Sequence, residues 1–245
     1  MADSKLMKSL RLPLRFIIAL WAIHIFQFVT GWSFAYLGVF PRSVEGLKGI
    51  LFAPLIHGDF MHLLNNSIPL FATSALILFF YPRVAIRSFV MIYLLTGLAV
   101  WLFGNLVFAE RVAYHIGASG VVYGLVSFIF WTGVFRRNLK SIVLGLLVAF
   151  YYSGMFLGIL PNQEGISWES HLLGGVVGIF VAFWYKDELE ADEAPVKYSW
   201  EEEDANENQS YFLDRDVFEK TREQRLREQR DRENNGGGWF SSGTW

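Results

Sequence analysis

The chain contains no cysteine, which excludes disulfides, thiolate metal sites and a cysteine nucleophile. The same absence leaves the redox compartment unspecified. Only 18% of its 245 residues are charged, and acidic side chains are sparse over most of its length. Residues 1–186 hold 13 Lys+Arg against 6 Asp+Glu, a net of +7, whereas residues 187–245 hold 8 against 17, a net of −9. The formal total of −2 therefore conceals two regions of different character. No His-Glu-x-x-His segment occurs, and the five histidines lack a close carboxylate set, so neither a metal site nor a cofactor is expected. Asp59, between His57 and His62, is expected to cap a helix instead. Basic residues lie scattered at the edges of apolar runs, which gives nucleic-acid binding no support. No repeat of fixed period is visible, which argues against an inverted-repeat transporter. A cleaved leader is not expected either, because the first apolar stretch is long and no small-residue cleavage site follows it.

What the chain has in abundance is apolar sequence, 53% of the total. Segments long enough to cross a hydrocarbon core of about 30 Å lie near 15–35, 62–81, 88–108, 118–135, 139–160 and 170–186. The last is short and spans only if nearly upright or continued by tail residues. The pattern predicts an all-α, polytopic membrane protein: an N-terminal segment over 1–14, a six-span membrane domain over 15–186, and a polar tail over 187–245. Lys5, Lys8, Arg11 and Arg15 precede the first span, and Arg83 and Arg87 join the second to the third. Arg136, Arg137 and Lys140 join the fourth to the fifth, and Lys186 follows the sixth. The opposite loops are poorer in base, so both termini are expected in the cytoplasm of a cell membrane. The 33–59 segment is aromatic and glycine-rich with few charges, and is predicted to lie in the outer interface as short helical turns. In the tail, Glu201–Asp204 is the densest acidic run. Residues 214–233 are good helix formers without an apolar stripe, predicting a disordered stretch or a solvated helix. The glycine- and aromatic-containing end, 236–245, is expected to be unstructured, and no partner for the tail can be named.

Polar residues at membrane depth are costly, so each asks for a reason. His24 stands alone in the first span, where packing accounts for it better than chemistry. His62 and Asn66, four apart, share one helix face and are open to two readings, interhelical hydrogen bonding or chemistry. Ser119 stands at a helix start, where free backbone N–H groups and the positive end of the macrodipole favour an oxyanion. Tyr123 lies one turn on. His171 is followed by Gly174 and Gly178 on roughly its own face, and Gly120 and Gly124 repeat the spacing on the other segment. Small residues so spaced let two helix backbones approach closely, which can bring imidazole to hydroxyl.

Three stretches together resemble the rhomboid family of intramembrane serine proteases, in its six-helix bacterial form. They are His57…His62…Asn66, Gly117-Ala118-Ser119-Gly120 with Tyr123, and Ser170-His171 running on through Gly174-Gly175 to Gly178, placed on the second, fourth and sixth spans. The resemblance covers about residues 10–186. It implies a six-helix bundle, cleavage of transmembrane segments of other membrane proteins near the outer face, Ser119 as nucleophile and His171 as general base. It further implies an oxyanion hole from His62, Asn66 and the Ser119 N–H, with Tyr123 holding the His171 ring. Gly117 would keep the approach to Ser119 open, and His57 would support the region. Family members often carry a Trp-Arg pair in the first outer loop, where this chain reads Leu47-Lys48-Gly49. Lys48 lacks the rigid fork of arginine. The rival readings are a silent rhomboid-like protein that binds membrane clients, marked in that branch by loss of Ser or His, and a small transporter or channel. Neither residue is lost here, and the polar groups cluster at one end instead of lining a midplane path.

Overall fold

The computed structural model describes residues 2–105, 114–160, 167–190 and 220–235. All regular structure among them is helical, and the one extended pairing is an isolated antiparallel bridge between Val39 and His115. The chain divides into two compact units, Met1–Ala194 and Pro195–Trp245.

The first unit opens with α1, Ala2–Thr30. The helix begins well before the apolar run because the basic residues ahead of the span are themselves good helix formers. It ends where Gly31 takes φ +72°. The 33–59 segment folds as short turns of 3-10 helix around α2, Gly49–Phe52. Next come α3, Phe60–Phe80, and α4, Ala85–Phe103. Then follow α5, Ser119–Arg136, α6, Leu139–Tyr151, and α7, Trp168–Trp184. Helices α1, α3, α4 and α5 are long and apolar enough to cross a membrane, and α6 and α7 are shorter apolar helices. The fifth apolar run does not stay α-helical to 160: it turns to 3-10 helix over Ser153–Ile159, where glycines at 154 and 158 weaken the α-helix.

Local signals explain the helix ends. Asp59 caps α3, its carboxylate accepting the backbone N–H of His62 at 2.8 Å. That bond holds the Asp59 carboxyl below the usual carboxylate range. Arg137 ends α5 in the left-handed region, and the Asn138 side chain then caps α6 through the N–H groups of Lys140 and Ser141. Within α3, Pro69 removes one backbone donor, and hydroxyls take carbonyls nearby: Ser67 Oγ donates to Leu63 O and Thr73 Oγ1 to Pro69 O, each at 2.7 Å. Trp21 of α1 reaches Ser67 Oγ with its indole N–H at 3.1 Å, tying α1 to α3 through the apolar layer.

The most extensive helix pair is α5 with α7. A Cβ on Gly174 would run into the Gly120 carbonyl, and one on Gly178 into the Gly124 carbonyl. The register 120–174 and 124–178 makes the two helices parallel and brings their N-terminal ends, with Ser119 and His171, together. In lipid such a seam rests on close packing, because hydrocarbon offers no hydrophobic drive for helices to associate. At the other end, arginines clasp the segment after α7. Arg83 Nη1 donates to Leu189 O at 2.6 Å, Arg136 Nη2 donates to Glu188 O at 2.9 Å, and Arg87 pairs with the Glu188 carboxylate.

In the second unit the described residues form α8, Arg222–Asn235, highly charged and almost wholly exposed. The acidic run at 201–204 and the 236–245 end lie outside the described residues.

Candidate active site

A cavity of about 1010 Å³ opens among α3, α5 and α7, lined by His62, Asn66, Ser119, Tyr123 and His171, together with Tyr114, His115, Tyr152 and Ser167. Five of the residues singled out from the sequence thus face one space. Ser119 is the first residue of α5, so the N–H groups of its first turn have no intrahelical partners. The chain reaches it through Gly117 at φ +101°, a conformation that suits glycine, where a Cβ would stand 2.6 Å from His62 Nε2. Gly117 N–H donates to Ala53 O at 2.9 Å, fixing this approach to the outer segment.

His171 is buried, with 7% of its surface exposed. The Tyr123 ring lies flat against its imidazole. Its Nδ1 stands 2.8 Å from the Gly158 carbonyl. A carbonyl only accepts, so Nδ1 carries the proton and Nε2 is left as the acceptor. No hydrogen bond joins the Ser119 and His171 side chains among the described residues. Such bonds often tighten only when substrate binds.

His62 is packed against the loop before Ser119, as the Gly117 contact shows. Asn66 donates one amide hydrogen to His62 O at 2.8 Å, which leaves a second for the cavity. His57 does not line the cavity. It lies behind His62, ring centroids 5.1 Å apart, and is 1% exposed; among the described residues neither ring nitrogen meets full hydrogen-bond geometry, and the Leu55 backbone is the polar group that interacts with the ring. Burial, with His62 and His24 adding, pushes the His57 imidazole down to about 3, so it is neutral. Gly174 and Gly178 sit in the α5–α7 seam, away from the cavity wall.

Three features of the site carried no signal that sequence reasoning used. Gly158 supplies the carbonyl opposite His171 Nδ1 from a segment read as continuous helix. His115 and Ser167, 52 residues apart, stand 2.5 Å apart, Nδ1 to Oγ. Arg42 reaches from the outer segment to Gly104 O at 2.7 Å. Lys48, in the loop that departs from the Trp-Arg pattern, places its ammonium 5.0 Å from the Tyr36 ring centroid.

The family model for the Rhomboid domain matches residues 45–187. An uncharacterized protein of Mycobacterium tuberculosis is 35% identical over 173 residues, covering 69% of this chain and 72% of its own length. An uncharacterized protein of Mycobacterium leprae is 32% identical over 173 residues, covering 69% of this chain and 68% of its own.

Proposed function

Because the chain belongs to the rhomboid family of multi-pass membrane proteins, we propose that it is an intramembrane serine endopeptidase that cuts transmembrane segments of other membrane proteins. The observation that carries this reading is the setting of His171. Its imidazole is clamped between the Tyr123 ring and the Gly158 carbonyl, its Nε2 is unblocked, and it shares a cavity with Ser119.

The chemistry follows from those atoms. Ser119 Oγ attacks the scissile carbonyl while His171 Nε2 takes its proton. The Gly158 carbonyl accepts from Nδ1–H throughout, doing for tautomer and orientation what a carboxylate does in a triad. The Ser119 N–H, the second amide hydrogen of Asn66 and an N–H of His62 stabilise the oxyanion, each worth about 2.7–4 kcal/mol. The imidazolium then gives its proton to the leaving amine, and a water activated by the same Nε2 hydrolyses the acyl-enzyme. A helical peptide bond is shielded from such attack, so the substrate is a transmembrane segment that unwinds locally near the outer face. The distribution of basic residues supports a placement of both termini in the cytoplasm.

Purified protein is expected to cleave a synthetic transmembrane substrate, and Ser119→Ala or His171→Ala to abolish cleavage. Cleavage by either variant at the wild-type rate would overturn the reading.

A further inference from the structure

We infer that His115 is a positioning residue, which locks the loop carrying Ser119 to the start of the helix carrying His171 through the hydroxyls of Ser167 and Ser170. The inference rests on the reading of Ser119 and His171 as the reacting pair.

The bonding is directional. His115 Nε2 lies 3.0 Å from Asn105 Oδ1, an acceptor, so this nitrogen carries the ring proton. Nδ1 is then an acceptor and takes a hydrogen bond from Ser167 Oγ at 2.5 Å. Ser170 Oγ lies 2.6 Å from Ser167 Oγ and 3.3 Å from His115 Nδ1, completing a relay of hydroxyls into the ring. The relay needs a neutral imidazole, and burial keeps His115 below the usual histidine range, against the opposing pull of Glu169. The backbone of His115 is held as well, exchanging 2.9 Å hydrogen bonds with Val39 in both directions. A second link runs in parallel, from Asn105 N–H to the Glu169 carboxylate at 2.7 Å.

The placement gives the network its meaning. His115 stands four residues before Ser119, and Ser170 is the neighbour of His171. Ser167 stands one turn earlier, its carbonyl accepting the His171 N–H at 3.3 Å. Ser167 also occupies the N-cap of α7, where a serine ordinarily bonds its own helix, yet its side chain makes no cap bond. The hydroxyl is turned instead to His115, across 52 residues of sequence. A local preference given up for a tertiary tie is what functional or strained sites show.

The test is the rate at which a fluorophosphonate labels Ser119 in the full-length protein in detergent micelles, followed by intact mass and peptide mapping, with the thermal midpoint recorded alongside. This rate depends on how His171 meets Ser119 and needs no substrate. Ser167→Ala is expected to slow labelling about ten-fold, since small misplacements of reacting groups carry costs of that order. Ser167→Thr, which keeps the hydroxyl, is expected to label at the wild-type rate. His115→Ala should slow labelling as Ser167→Ala does, and the double variant should be no slower than the worse single, because both remove one tie. Should His115→Ala not fold, the Ala–Thr pair at position 167 decides alone. Wild-type labelling rates in Ser167→Ala, equal loss in Ser167→Thr, or a labelling loss matched by a drop in thermal midpoint would each overturn the inference. So would labelling of Ser167 itself. A wild-type protein unlabelled at Ser119 would sink the dyad reading and the inference with it.

Discussion

The Tyr123 ring is stacked on that of His171 with centroids 4.1 Å apart and 9° between planes. Tyr123 is one turn along α5 from Ser119, so the helix that presents the hydroxyl also presents the surface against which the imidazole lies. The ring is thereby fixed on one face by α5 and at its Nδ1 edge by the Gly158 carbonyl.

Replacing the stack separates ring from hydroxyl. Tyr123→Phe keeps the aromatic face and is expected to retain most of the activity. Tyr123→Ala removes it and should lower kcat about ten-fold or more, the scale of one aromatic pair. Steady-state cleavage of a transmembrane substrate checks this, and equal kcat values for the Ala and Phe variants would sink it.

Gly158 has no room for a side chain. A Cβ there would collide with the Tyr123 hydroxyl and stand 3.1 Å from His171 Nδ1. Gly158→Ala is therefore expected to lower kcat about a hundred-fold by displacing the imidazole. Adding Tyr123→Phe removes the nearest colliding atom, so the double variant should recover part of the loss. A double variant no better than Gly158→Ala would show that the collision is not with the hydroxyl.

The α5–α7 seam gives a stability test. Gly174→Ala and Gly178→Ala each drive a methyl into a backbone carbonyl that cannot rotate away, and each should destabilise by about 1–3 kcal/mol. Gly175, with nothing among the described residues within 4 Å of its hypothetical Cβ, is the control. Gly175→Ala should be neutral or stabilising by up to about 1 kcal/mol, from helix propensity alone. Thermal midpoints in detergent decide, and a common effect at all three positions would refute the seam as described.

Much of this architecture is legible in the sequence, and the exceptions have two causes. Apolar runs mark α3, α4 and α5 because each is long and bounded by charge or glycine, and Asp59 reads as a cap because a short acceptor precedes an apolar run. The glycine spacings after Ser119 and His171 point to the α5–α7 contact, since close backbone approach demands small residues at helical intervals. Where α1 begins is not legible from hydropathy, because a helix can run on past the membrane through Lys5, Lys8, Arg11 and Arg15. The Gly158 carbonyl and the His115–Ser167 tie are invisible for a different reason. Each joins residues of different elements through isolated side-chain contacts, 13 residues apart in one case and 52 in the other, and isolated contacts have no period.

His57 makes stability depend on pH. Its pKa falls from 6.5 to about 3 on burial, so the folded protein favours the neutral ring. The stabilisation is fully present above pH 6.5 and is lost as pH falls from there toward 3, where the unfolded chain takes up a proton that the folded chain refuses. One pKa unit corresponds to about 1.4 kcal/mol, so acidification to pH 5 should cost about 2 kcal/mol. Among the described residues neither ring nitrogen has a hydrogen bond of full geometry, only a weak interaction with the Leu55 backbone, so His57→Leu is expected to be tolerated at pH 7.5 and to show a smaller fall in thermal midpoint between pH 7.5 and pH 5 than wild type. Equal falls in the two proteins would mean that His57 does not hold its neutral form on folding.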